Sequence, residues 1–107
     1  MDQQLYLQRA DACLRQVANW LEDFDPDELD YATTDGVVTL SFADGARYVL
    51  NRQSAASQMW FAAGARAWHY GFDERQGAWR DDRDGHRLMD KLAEVVSAKL
   101  GRQVRFA

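Results

Sequence analysis

Apolar residues recur at three- and four-residue steps through the first part of the chain: Tyr6, Ala10, Cys13, Leu14, Val17, Trp20, Leu21 and Phe24. That spacing puts them on one face of an amphipathic helix over roughly residues 3–24, with Asp11, Arg15, Asn19 and Glu22 on the opposite face. Pro26 ends it, because the residue before a proline is pushed out of the helical region. The period then changes from about 3.6 to two. Val38, Leu40 and Phe42 alternate with Val37, Thr39 and Ser41, between Asp35-Gly36 and Asp44-Gly45. Asp-Gly between alternating runs is a strong hairpin signal, since the tight turns of hairpins require positive φ. Tyr31–Thr34 precedes the first turn, and further runs follow at Arg47–Asn51, Met59–Ala62, Trp68–Asp73 and Ala78–Arg80. Tight turns at this spacing, with no helix between them, predict an antiparallel meander. After Asp84-Gly85, Leu88, Met89, Leu92, Val95, Val96 and Leu100 define a second amphipathic helix, with Asp84 as its expected N-terminal cap and Gly101 as its C-terminal cap. The predicted fold class is α+β: a two-layer sandwich with two helices packed on one face of a five- to six-stranded antiparallel sheet.

If the helices cover one face, period two divides the strand residues. Leu40, Phe42, Tyr48, Leu50, Met59, Phe61, Tyr70 and Phe72 point inward. Thr39, Val49, Asn51, Gln58, Trp60 and His69 point outward. An outward indole beside Gln and Asn on a flat sheet is a candidate protein contact, because Trp is enriched at binding hot spots. The structural alternative is an indole lying down on its neighbours.

At 107 residues the chain has the size of one domain, with a core that needs no staples. Its lone Cys13 falls on the buried stripe, which leaves no intramolecular disulfide and no cysteine metal cluster. No apolar run reaches membrane-spanning length, and no signal peptide is evident, so a cytoplasmic location is expected. Charge changes the picture more. Residues 16–46 hold eight carboxylates and no Lys or Arg. Residues 1–46 carry ten acids against two bases, a net of −8, whereas residues 47–107 carry eleven bases against seven acids, a net of +4. Such an acidic region repels nucleic acid and attracts hard cations or a basic protein surface.

The motifs resemble a family. The helix–strands–helix order, Leu21-Glu22-Asp23-Phe24-Asp25 at the helix end, and the Asp-Gly hairpin into Val37-Val38-Thr39-Leu40 are similar to the bacterial frataxins, the CyaY family. The most specific segment is Asn51-Arg52-Gln53, four residues, then Gln58-Met59-Trp60; Tyr70-Gly71-Phe72-Asp73 and Trp79 continue the match. The resemblance takes in residues 1–107 as one frataxin-like domain. It implies a protein that binds iron (Fe²⁺/Fe³⁺) weakly and regulates or supplies iron–sulfur cluster assembly by docking on the cysteine desulfurase and its scaffold protein. It implies a monomer that iron drives into oligomers, and no dedicated enzyme, any ferroxidase-like activity belonging to loosely held iron. Carried over by position, the metal ridge is Asp11, Glu22, Asp23, Asp25, Asp27, Glu28 and Asp30, and the partner-binding sheet surface is Asn51, Gln53, Gln58 and Trp60. Two departures thin the ridge. Ala18 and Asn19 stand where many bacterial members have a Glu pair, and Tyr31-Ala32-Thr33-Thr34 is poor in carboxylates. The tail is short, which in this family goes with lower stability.

Other chemistries fit less well. Asp23-Phe24-Asp25-Pro26-Asp27 begins like a Ca²⁺ loop, but Glu28 replaces the turn glycine and Thr34 the bidentate glutamate. Oxygen donors alone suit hard cations, so the metal sites are expected to be exposed and promiscuous. His69 and His86 are too far apart in sequence for a paired site; His86 is expected in the first turn of the second helix, solvated, and His69 outward on the sheet. Arg80-Asp81-Asp82-Arg83-Asp84 reads as a mixed-charge loop with weak local ion pairs. Two alternatives stay open: an acidic module with an unrelated basic partner and no metal role, and a small carboxylate enzyme, which requires acids with strongly raised pKa values in a pocket.

Overall fold

The computed structural model describes residues 1–106. Helix α1 (Gln3–Leu21) is followed by strands β1 (Leu29–Thr34), β2 (Val37–Phe42), β3 (Arg47–Gln53), β4 (Gln58–Ala63), β5 (Arg66–Asp73) and β6 (Ala78–Asp81), then helix α2 (Leu88–Leu100). The six strands form one sheet in sequence order, every pair antiparallel. Gly36 and Gly45, at φ +76° and +89°, turn the first two hairpins. Between β3 and β4 the chain takes a short 3₁₀ turn, Ser54–Ala56, and leaves it through Ser57 in the left-handed region at φ 53°.

Both helices lie on one face. Tyr6, Ala10, Cys13, Leu14, Val17, Trp20 and Leu21 of α1 and Leu88, Leu92 and Val96 of α2 share one core with the inner side chains of the sheet. Of the eight residues expected to point inward, Leu40, Phe42, Leu50, Met59, Phe61 and Tyr70 are buried; Tyr48 and Phe72 pack at its margin. Aromatic contacts fill the core: Tyr6 meets Trp79 edge-on at 6.2 Å, and Trp20 sits between the Phe24 ring, edge-on at 5.0 Å, and the tilted Phe106 ring at 4.8 Å. Two buried polar handles reach across the layers. Tyr6 donates to the Gln58 carbonyl at 2.8 Å, and the Trp20 indole donates to the Arg105 carbonyl at 2.8 Å, strapping the tail against α1.

The structure moves several expected features. Helix α1 stops at Leu21 instead of Phe24. The amides of Asp23 and Phe24 bond to the carbonyls three residues back, and Asp25 builds the next turn: its carboxylate accepts from the Asp27 amide at 2.9 Å and its carbonyl from Glu28 and Leu29. Phe24 still covers Trp20 from outside the helix. Asp84 does not cap α2, whose N-cap is Arg87 with no side-chain cap. Nor does His86 lie in the helix. The Arg80–Arg87 bridge and the Asp81 amide bond to the His86 carbonyl, 2.8 Å, hold residues 86–87 extended beside β6. The ring of His86 is only 21% exposed and shares a 2.7 Å hydrogen bond with the Tyr70 hydroxyl. Asp81, expected in a solvated loop, is a buried residue of β6. Gly101 does close α2, at φ 72°.

Candidate functional site

Two surfaces hold the residues singled out above. The first is the acidic end, where α1 gives way to β1. Glu22 is the C-cap of α1, Asp23, Asp25, Asp27 and Glu28 follow in the connecting turn, and Asp30 is exposed on β1. The density is a consequence of turn chemistry: carboxylates that bond nearby amides favour such turns, and Pro26 forbids continuing the helix. Their environments differ. Glu22 accepts from the Tyr31 hydroxyl, and that bond raises the tyrosine pKa. Asp30 accepts from the Tyr31 amide at 2.8 Å. Glu28 is gripped by Arg102 at 2.5 Å, which raises the guanidinium pKa. Among the described residues, Asp23 and Asp27 have no hydrogen bond or ion pair to their side chains.

Asp11 stands apart. Eleven residues before Glu22, it lies about 16 Å away along α1 at the usual helical rise. Its carboxylate accepts from Arg52 at 2.6 Å, and Arg52 also donates to Asp35 at 3.0 Å. Arg52, flanked in sequence by Asn51 and Gln53 on the opposite sheet face, thereby ties α1 to the β1–β2 turn. The acidic segment is also less bare in space than in sequence: Asp35 meets Arg52, Glu28 meets Arg102, and Asp44 meets Lys99 at 2.5 Å. The Lys99 hydrogen bond holds the Asp44 carboxyl below the usual carboxylate range. All three bases come from the second, basic part of the chain, so folding neutralises part of the charge division. Among the described residues, no three carboxylates of the acidic end bring donor atoms within 4.8 Å of one another; the group that does is Asp81, Asp84 and His86.

The second surface is the open face of the sheet. Register pairs Asn51 with Trp60 and Gln53 with Gln58, which sets all four residues in two adjacent rows on that face. The Gln58 side chain accepts from the Trp60 indole at 2.9 Å, and Asn51 donates to the Arg52 carbonyl at 3.0 Å. Trp60 is opposite His69 on β5, and the two rings stack at 4.5 Å and 25°. The indole therefore lies along the sheet as a flat, partly exposed aromatic plate. Asp82 borders it, 3.4 Å from the Gln58 amide and 3.9 Å from the His69 ring. Sequence places Asp82 only in a mixed-charge loop; its amide bond to the His69 carbonyl, 2.9 Å, continues the β5–β6 register and brings it beside Gln58. Arg47, opposite Ser41, and Arg80, opposite Gly71, share this face by register, so it is not uniformly acidic.

Among the described residues, no helix is long and apolar enough to cross a membrane. Cys13 is buried, and burial pushes its thiol up to about 12, which removes it as a nucleophile at neutral pH.

Residues 1–102 match the family model of the frataxin-like domain. The chain is 41% identical over 97 residues to the iron–sulfur cluster assembly protein CyaY of Thioalkalivibrio sulfidiphilus, covering 90% of this chain and 91% of that one. It superposes on the frataxin of Psychromonas ingrahamii with a TM-score of 0.88 at 25% identity, over 100% of this chain and 99% of the other. It also superposes on trimeric frataxin of Saccharomyces cerevisiae, solved in complex with ferrous iron, with a TM-score of 0.76 at 28% identity over 88% of this chain and 87% of that one. With the helix–sheet order, the Asn-Arg-Gln strand end and the flat tryptophan all in place, this chain belongs to the frataxin family.

Proposed function

We propose that this protein binds Fe²⁺ and Fe³⁺ weakly at its acidic end and regulates or supplies iron–sulfur cluster assembly by docking on the cysteine desulfurase and its scaffold protein. The observation that supports this most is a pair of exposed carboxylates, Asp23 and Asp27, whose side chains have no partner among the described residues, beside Glu22, Asp25 and Asp30 at the α1–β1 end. A relative that shares two fifths of its residues is named for iron–sulfur cluster assembly, and a frataxin of the same fold holds ferrous iron. Hard, oxygen-only donors without a closed cage suit an ion that must be held and released. Asp11 and Glu28, each already held by an arginine, contribute field more than ligation.

Docking uses both surfaces. The acidic end steers a basic partner over long range, and Trp60, framed by Asn51, Gln53 and Gln58, provides the packed contact. The function is that of a binding protein, acting in the cytoplasm as a monomer that iron can assemble further.

The failure of three acidic-end donors to converge favours one other reading: an acidic module for an unrelated basic partner, without a metal role. Titrating Fe²⁺ anaerobically while following backbone amides separates the two. The iron reading expects broadening centred on residues 22–30; unchanged amides there at millimolar iron leave only the protein-binding role. Asp23→Lys with Asp27→Lys is expected to weaken desulfurase binding at least tenfold at low salt and to flatten its salt dependence. Unchanged affinity removes the electrostatic part.

A further inference from the structure

Away from the acidic end, a cluster of metal-ligating side chains lies in the β6–α2 turn. Asp81, Asp84 and His86 each place one donor atom within 4.8 Å of the other two. The backbone sets this up. The Asp81 amide donates to the His86 carbonyl at 2.8 Å and the Gly85 amide to the Asp81 carbonyl at 3.1 Å, so Asp81 and His86 face each other across the neck of the loop. Gly85, at φ +77°, makes the reversal that returns His86 over Asp84; a Cβ there would also meet the Arg80 guanidinium at 2.7 Å.

Among the described residues, Asp81 is the buried charged one, 6% exposed. Its Oδ2 accepts from the amides of Arg83 and Asp84 at 2.9 and 3.0 Å. Its Oδ1 is buried with no hydrogen-bond partner among the described residues. An unpartnered carboxylate oxygen in such a place is destabilising, and a cation beside it removes that cost. Neighbouring arginine and lysine do not fill the role: Arg80 is spent on Asp73 and the Gly85 carbonyl, and Lys91 on Glu94.

His86 completes the set. Its Nδ1 lies 2.6 Å from Asp84 Oδ1, and its Nε2 shares the bond with Tyr70. With a metal on Nδ1, the ring proton resides on Nε2 and is donated to the Tyr70 oxygen, the outer bond that normally orients a histidine ligand. Burial first, then the nearby carboxylates of Asp81 and Asp84, push the Tyr70 hydroxyl above its ordinary range, so it stays protonated beside the ring. Asp84 is 70% exposed at its side chain and gives an entry path from solvent.

We propose that Asp81, Asp84 and His86 form a one-imidazole, two-carboxylate site for a borderline first-row divalent cation. Imidazole separates it from Mg²⁺ and Ca²⁺, which prefer oxygen alone. The site is independent of iron binding at residues 22–30.

Zn²⁺ is the probe: redox-inert and readable at the ligand nitrogen. It is titrated into ¹⁵N-labelled protein while both histidine rings are followed. The expected result is a large shift of His86 Nδ1 with its Nε2–H retained, and a response unaffected by millimolar Mg²⁺. His86→Gln and Asp84→Asn are each expected to weaken binding at least tenfold. Asp84 is exposed, so its variant tests the site without disturbing the core. Asp23→Lys with Asp27→Lys is expected to leave the His86 shift intact. A His86 ring unmoved at millimolar Zn²⁺, or unchanged affinity in His86→Gln and Asp84→Asn, overturns the site.

Discussion

Removing one oxygen atom from Tyr6 tests how the two layers hold their alignment. The ring is fully buried in the face of α1, and its hydroxyl donates at 2.8 Å to the Gln58 carbonyl, fifty-two residues away. Tyr6→Phe keeps the ring and its edge contact with Trp79, so no large cavity opens. What is lost is one hydrogen bond, worth about 1 kcal/mol net, together with part of the desolvation cost of the carbonyl left behind. The expected loss of stability is therefore about 1–2 kcal/mol. For a chain of this size that corresponds to a fall in Tm on the order of 5–15 °C. Urea unfolding followed by tryptophan fluorescence measures it, with an unchanged denaturant slope if the native state keeps its compactness. A loss below about 0.3 kcal/mol would show that water or another group satisfies the Gln58 carbonyl equally well and that the inter-layer bond contributes nothing. Because Gln58 also receives the Trp60 indole, the same variant is expected to perturb amides around Trp60.

Alkaline stability reports on Cys13. Its thiol rises from 9.0 to about 12 on burial, so the unfolded chain loses this proton first. The stability contributed is fully present below pH 9 and drains away as pH rises from 9 toward about 12, at a slope that Cys13→Ala removes in unfolding titrations. Gly36→Ala forces φ +76° on a residue with a side chain and sets its Cβ 2.9 Å from Arg52 Nε, so it is expected to cost about 1–2 kcal/mol in thermal unfolding and to loosen the Asp11–Arg52–Asp35 clamp. Trp60→Ala is expected to weaken desulfurase binding by about 2 kcal/mol or more, measured by calorimetry, while the thermal midpoint changes little; equal affinity would assign the indole to sheet packing against His69.

Much of the fold was legible because strong local signals agree with each other. Asp35-Gly36 and Asp44-Gly45 name their turns, and alternation on either side sets which of Leu40, Leu50, Met59 and Phe61 go inside. With register settled, Asn51, Gln53, Gln58 and Trp60 meet on one face, as period two requires. What sequence does not show are pairings across long separations. Glu28 with Arg102 and Asp44 with Lys99 join chain segments that only the packed helices bring close. Asp81 and His86 escape sequence for a related reason: a mixed-charge run looks like solvated loop, whereas β6 extends into its first two residues and buries one carboxylate. The helix end at Leu21 instead of Phe24 follows from competition by Asp25, whose side chain and carbonyl organise a turn that apolar periodicity alone cannot register.

The measurement closest to the central claim is binding of the wild-type protein to a purified bacterial cysteine desulfurase across a salt series. Tight association at low ionic strength that falls steeply with added salt is the predicted result, since exposed carboxylates are screened within about 10 Å at 0.1 M. No association even at low salt would contradict docking through the acidic end and leave metal binding alone as the role of those carboxylates.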